Sequence, residues 1–284
     1  MPSYGIGILP FLSLIKPPST MRELKQLAYA DDLGGGSKLT LLRDWWSRVV
    51  EHGPKFGYFP KASKSWLVVK EEKLQLAEEL FRGTEINITT EGRKYLGGYV
   101  GTEEGCRKYF KELCDEWCSQ LEELSKIART EPQAAYSAFT AGFKHKLTYF
   151  LRTIPNLTEL LKPIDEIIND KFLPAITEHQ NITEPDRKLL SLPVKLGGLG
   201  IPIFSESCSV EFENSRKISR YLVDKIVAQD QQYEINPRRE REIQNQLKNE
   251  KELRNNELLT TLRAQMSKEQ LRCNDVAQMR GASA

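Results

Sequence analysis

Tyr29-Ala30-Asp31-Asp32-Leu33-Gly34-Gly35-Gly36 is the stretch on which the reading of this chain turns. Leu24 to Tyr29 suits a strand, and two adjacent aspartates follow it with only Ala30 between. Aspartates in a tight turn keep their carboxylates in water or offer them to a ligand. The glycine triplet lets a return strand approach another backbone closely. The segment therefore predicts a β-hairpin whose tip presents two carboxylates. Adjacent carboxylates repel, and divalent cations offset that repulsion.

The surrounding residues predict an alternation of helix and strand from 1 to 101. Residues 4–16 read as a short buried helix ended by Lys16-Pro17-Pro18. Ser37 is a plausible N-cap for a helix from Lys38 to His52, with Leu41, Leu42, Trp45, Trp46 and Val49 at helical spacing and Gly53-Pro54 as its stop. A strand over Lys64–Val69 and a helix over Glu71–Phe81 follow. Short strands near Ile86–Ile88 and Tyr95–Val100 are separated by a turn at Glu91-Gly92. Trp45 and Trp46 read as core and rim of their helix.

From Thr102 the pattern becomes helical, with segments near 103–129, 132–152, 157–173 and 185–192 punctuated by Pro132, Pro155, Pro174 and Pro185. Leu196-Gly197-Gly198-Leu199-Gly200-Ile201 is a glycine-rich turn without the spacing of a phosphate cradle. The part beyond about Ser209 is helical and charged. Residues 237–257 carry only Ile243, Leu247 and Leu253 as spaced apolar positions, which reads as a solvated helix or partly disordered tail, with a coiled coil as the weaker alternative.

The 284 residues include 41 Lys+Arg against 39 Asp+Glu, a net charge of +2 that excludes a uniformly basic nucleic-acid clamp and leaves that role to local patches. Five cysteines without dense spacing argue against a disulfide framework and fit a reducing, intracellular compartment. Cys114 and Cys118, four apart on a helix, lack nearby partners for a zinc site. Ile6 to Ile15 is too short to span a bilayer and lacks the flanks of a signal peptide, so no membrane partner is expected.

These motifs, in this order, resemble the reverse transcriptase (RNA-directed DNA polymerase) of a retroelement, of the non-LTR-like metazoan type. Tyr29-Ala30-Asp31-Asp32 is similar to the metal-binding turn of the palm. Helix 38–52 followed by Gly53-Pro54-Lys55-Phe56-Gly57-Tyr58-Phe59-Pro60 and Lys64-Ser65 is similar to the next palm motif. Tyr95-Leu96-Gly97-Gly98 looks like the primer-grip hairpin, and Leu192–Ile201 resembles a segment found beyond the thumb.

The resemblance implies an α+β fold: a partial palm over 1–101, a helical thumb-like region over 102–205, and a charged helical segment over 206–284. It implies two-metal phosphoryl transfer with Mg²⁺, an RNA template, a DNA primer and deoxynucleoside triphosphates. Asp31 would be the principal metal ligand and Asp32 a weaker one. Lys64 would donate a proton to the leaving pyrophosphate, although it also reads as a solvated lysine at a strand start. Tyr29 and Ala30 would line the primer or nucleotide site. Tyr95, Leu96 and Gly97 would steady the primer end, although ordinary strand packing explains them as well.

Relatives carry fingers and a further aspartate strand upstream, and no Asp precedes Asp31 here. The chain is accordingly expected to be a fragment cut at both ends, inactive by itself. Residues 1–101 are expected to expose a sheet edge beside Leu24–Tyr29, which favours sticking. The alternative function is a non-catalytic nucleic-acid-binding or protein-interaction module in the helical part, where Lys144, His145, Lys146 and Arg152 interleave with Phe143, Tyr149 and Phe150, although an amphipathic helix with its polar face in water is the preferred reading of these residues.

Overall fold

A computed structural model describes residues 2–16, 23–230 and 236–281. The fold is mixed α+β, about 70% helical with a few small sheets. It divides into two compact units. Residues 1–107 with 219–235 make the first, and 108–218 with 236–284 make the second.

In the first unit, α1 (Pro2–Ile15) precedes the antiparallel hairpin β1 (Lys25–Tyr29) and β2 (Asp32–Gly36). Helix α2 (Leu39–His52) follows. Strand β3 (Trp66–Val68) and helix α3 (Leu74–Leu80) lead to β4 (Asn87–Thr89), which pairs parallel with β3. A second hairpin joins β5 (Gly92–Tyr95) to β6 (Gly98–Gly101). Among the described residues every sheet is two-stranded, so the sheet content is three separate pairs. The Pro17-Pro18 stop expected after α1 lies outside the described residues.

Two sequence expectations need correction here. Ser37 does not cap α2. The N-cap is Lys38, with no side-chain hydrogen bond, and the Ser37 hydroxyl instead donates to the Glu23 carbonyl at 3.1 Å. The expected strand Tyr95–Val100 contains the turn itself. Leu96 and Gly97 both have positive φ, the two-residue tip that a right-twisted hairpin favours, and this reverses the chain in mid-segment.

The core of this unit joins Ile8, Phe11 and Ile15 of α1 to Leu24, Trp45 and Val49, with Leu33 and Tyr58 packed against it. Phe11 meets the rings of Phe56 and Tyr58 at 5.7 and 5.5 Å. Gly35 lies flat under Trp45. A Cβ built there would come within 3.0 Å of the indole, so the glycine permits the ring to rest on the strand. The indole Nε1 donates to Gln26 Oε1 at 3.1 Å, and Gln26 Nε2 donates to the Leu12 carbonyl at 2.8 Å. One glutamine therefore ties β1 to both α2 and α1.

The edge of β1 expected to be open is closed at its centre. Tyr29 pairs with Asp32 across the tip, so the alternation of an antiparallel ladder turns the N–H and C=O of Gln26 away from β2. Both meet the side chain of Gln229, just past the C-terminus of α10 (Phe204–Ala228). Gln26 N donates to Gln229 Oε1 at 3.0 Å, and Gln229 Nε2 donates to the Gln26 carbonyl at 3.1 Å. Lys16 Nζ donates to the same Gln229 oxygen at 2.6 Å. A single primary amide thus makes the two bonds that one residue of a neighbouring strand would make.

In the second unit, α4 (Glu103–Ala128) buries Phe110, Cys114, Trp117, Leu121 and Ala128 along one face, the spacing of an amphipathic helix. Helix α5 (Pro132–Ala138) runs through a π-helical turn, Phe139–Phe143, into α6 (Lys144–Thr153). Helix α7 (Thr158–Ile167) runs through a second, Ile168–Phe172, into α8 (Leu173–Thr177). The two turns meet where Phe139 stacks on Phe172 with ring centroids 5.0 Å apart.

Helix α9 (Glu184–Ser191) opens on a Thr183–Asp186 capping box. Its buried Arg187 donates to the carbonyls of Ile201 and Pro202 at 2.9 and 2.8 Å, while Asp165 accepts from the N–H groups of Phe204 and Ser205 and caps α10.

The charged stretch 237–257 is a helix exposed along most of its length, one of the two forms expected for it, with Leu247 buried. Leu259 and Leu262 of α11 (Pro237–Arg263) are buried with Leu192. Helix α12 (Lys268–Gly281) buries Asn274, which donates to the Leu196 carbonyl at 3.3 Å. Gly197, at φ +82°, leaves room for that amide; a Cβ there would stand 2.4 Å from Asn274 Nδ2. The glycine-rich turn is thus a seat for a helix.

Replacing Gln229 by Leu should destabilise the first unit by about 2 kcal/mol, because it leaves two backbone groups of Gln26 without partners. Urea unfolding followed through tryptophan fluorescence in a Trp117→Phe background, where the remaining indoles all lie in the first unit, reads the loss. Amide exchange should show Gln26 losing more protection than Leu27, whose N–H faces β2.

Candidate active-site hairpin

The tip of the first hairpin consists of Ala30 and Asp31, flanked by Tyr29 and Asp32. Ala30 has φ +50°, the positive value a two-residue hairpin requires at its first central position. This is a position where glycine is relaxed and an L-residue is strained by about 1 kcal/mol. Asp31 and Asp32 are both exposed, as is Tyr29 at 65%. Their carboxylates stand in water at the end of a ribbon, where a cation is reached without dehydrating the protein.

The other face of the ribbon carries Tyr95. Side chains alternate along β2, so Asp32 and Gly34 share the face opposite Gly35. A Cβ on Gly34 would lie 3.1 Å from the Tyr95 hydroxyl, which places that hydroxyl against the strand beside Asp32. The Tyr95 oxygen is buried and has no hydrogen-bond partner among the described residues. Burial, and then the negative charge of Asp32, push its pKa above the ordinary tyrosine value. A phenol next to a carboxylate, held neutral and lacking a partner, is a donor waiting for an acceptor.

The fold therefore brings Tyr95 beside Asp32, with Asp31 next to it at the tip, and holds Leu96-Gly97 at the tip of the second hairpin. Lys64 ends a 3₁₀ turn, Ala62–Lys64, just before β3, and its side chain is exposed. Among the described residues it forms no ion pair with either aspartate. No group of three or more His, Cys, Asp or Glu side chains gathers into a metal site among the described residues. Two exposed carboxylates are hard oxygen donors of the kind that Mg²⁺ takes while keeping most of its waters.

Gln26 and Gln229, which set the hairpin's position, are absent from the sequence reading. They lie 203 residues apart, and neither belongs to a pattern of period 2 or 3.6. The basic and aromatic stretch of α6 is an amphipathic helix, the preferred of its two sequence readings. Phe143 is buried, and Phe150 packs on Phe110 and Trp117 at 6.0 and 5.1 Å. Lys146 meets Gln120 and Arg152 meets Glu211, so only Tyr149 of the three aromatics is exposed.

Burial makes two cysteines poor nucleophiles. The Cys114 thiol is pushed up to about 12 and Cys118 to about 11, each chiefly by desolvation. No helix among the described residues is long and apolar enough to cross a membrane.

Comparison with protein-family models, curated proteins and solved structures finds no match to this chain.

Two outcomes are expected from the hairpin geometry. Ala30→Gly should stabilise the chain by about 1 kcal/mol in a urea titration, since glycine adopts the tip conformation without strain. Tyr95 has a folded pKa above its unfolded value, so its contribution to stability is intact below pH 10 and is lost as pH rises through the folded pKa. Tyr95→Phe should flatten the fall in melting temperature above pH 10. At pH 7 it should leave stability equal or higher, because it removes an unpartnered buried hydroxyl.

Proposed function

We propose that the first unit is a reverse-transcriptase-type palm element, with the Asp31-Asp32 tip as the metal-binding part of a nucleotidyl-transfer site. One observation carries this reading: two exposed carboxylates at a two-residue hairpin tip, with the Tyr95 hydroxyl of a second hairpin beneath them. The order of the sequence motifs supports it. In this reading Asp31 is the main ligand, Asp32 the second, and Leu96-Gly97 supports a primer end. The helical second unit stands as the thumb-like part. Bound Mg²⁺ would activate the attacking 3′-oxygen and stabilise charge on the phosphorus. The chain's own part is to hold the carboxylates in place and keep the Tyr95 proton available beside them. Lys64 as proton donor belongs to the same proposal, and substrate would have to bring the leaving group to it.

Titration with Mn²⁺ under NMR observation tests the site. Residues 29–33 should broaden at millimolar or lower Mn²⁺, and Asp31→Asn/Asp32→Asn should abolish the effect. An unbroadened tip overturns the metal reading. Primer extension on an RNA template with deoxynucleoside triphosphates is expected to be absent for the chain alone. Mg²⁺-dependent synthesis that vanishes in Asp31→Asn would show that the described carboxylates suffice.

A further inference from the structure

Residues 53–70 contain four lysines (55, 61, 64 and 70), four aromatic residues (56, 58, 59 and 66) and no Asp or Glu. The fold sorts the aromatics. Tyr58 turns inward and packs with Phe11, while Phe59 is 70% exposed, Trp66 41% and Phe56 39%. A segment that buries one aromatic and leaves its neighbour in water cannot be explained by core packing alone.

The exposed rings stand on a fixed scaffold. Tyr58 N donates to the Gly53 carbonyl at 3.0 Å, and the Ser65 hydroxyl donates to the Lys61 carbonyl at 2.9 Å. Asn87 Nδ2 bonds the carbonyls of Ser63 and Ser65. The turn closes residue 61 onto 65, within the stretch that separates Phe59 from Trp66. Arg93 lies over the Trp66 ring at 4.3 Å and adds a guanidinium. Lys55, Lys61 and Lys64 have no ion-pair partner among the described residues.

We infer that Lys55–Trp66 is a stacking platform for single-stranded nucleic acid. Unpaired bases present flat apolar faces to rings such as Phe59 and Trp66, and the phosphates between them take the lysines. A duplex hides those faces, and an acidic protein supplies charge without them. The inference goes beyond nucleotidyl transfer: it needs no metal and no contact with Asp31 or Asp32.

The test is fluorescence anisotropy with the full chain in EDTA, using labelled dT15, U15 and a 15-base-pair DNA duplex at 50 and 200 mM salt. Both single strands should bind more tightly than the duplex. Phe59→Ala should weaken single-strand binding about tenfold, within the range for one base–aromatic stack. Its thermal melt should be unchanged, because that ring is exposed. Lys55→Gln/Lys61→Gln should lower the slope of log affinity on log salt by about 1.4, the value for two phosphate contacts on a single strand. A preference between dT15 and U15 would select the source and leave the platform standing.

Equal affinity for the duplex, or an unchanged Phe59→Ala variant, overturns the inference. Asp31→Asn/Asp32→Asn should bind as wild type in EDTA, so failure of the metal site and failure of the platform are separable.

Discussion

The first unit depends on how the two outward backbone groups of Gln26 are satisfied. A two-stranded ribbon is marginal by itself, and its unpaired edge invites other strands. Here the Gln229 amide supplies an acceptor and a donor at the spacing of a peptide unit. The Gln26 side chain meanwhile reaches Trp45 and the Leu12 carbonyl. Backbone and side chain of one residue therefore fix β1 against α1, α2 and the end of α10. Gln229 itself adopts φ +54°, a left-handed conformation that ends its helix and is held by the same contacts.

Fixing the root of the ribbon determines what its tip can do. The faces of β2 are divided between Trp45, which rests on Gly35, and Tyr95, which rests against Gly34. With rings on both sides the ribbon cannot roll, so Asp31 and Asp32 point into solvent from a defined place. Exposure leaves the carboxylates open to a cation. The nearby Tyr95 hydroxyl is the reverse case, shut away from water and kept protonated by burial and by Asp32. An acceptor pair and a neutral donor thus lie side by side under different solvation.

Much of this architecture was legible because it follows from period and punctuation. Proline and glycine positions bracket α2 and α5 to α9 within a few residues. The apolar spacing of α4 gives its buried face, and the carboxylates between a strand-like run and a glycine triplet give the first hairpin. The second hairpin was less legible. Tyr95-Leu96-Gly97-Gly98 reads as continuous strand until Leu96, a residue that disfavours positive φ, is seen to occupy the tip. The packing of α11 was hidden by composition: Leu259 and Leu262 lie beyond the polar stretch 237–257 and find Leu192 only in three dimensions. Long-range polar pairs such as Gln26–Gln229 leave no periodic trace. On α6 a basic face and a core face share one helix, which is the amphipathic reading its spacing favours.

The two π-helical turns, Phe139–Phe143 and Ile168–Phe172, bear on how this unit can change over generations. Each holds one residue more than an α-turn would, and each is secured by the Phe139–Phe172 stack. Deleting a residue such as Gly142 would close the widened turn to ordinary winding and leave the downstream face nearly where it was, because the wider turn takes up its extra residue over almost the same sweep. Leu147 and Leu151 would keep their place in the core. A residue added or removed elsewhere in α6 meets no such slack and turns every later side chain by about 100°. The paired widenings therefore mark where the spacing of this unit can change, and descendants of this chain should vary in length at 139–143 and 168–172 more readily than within the helices around them.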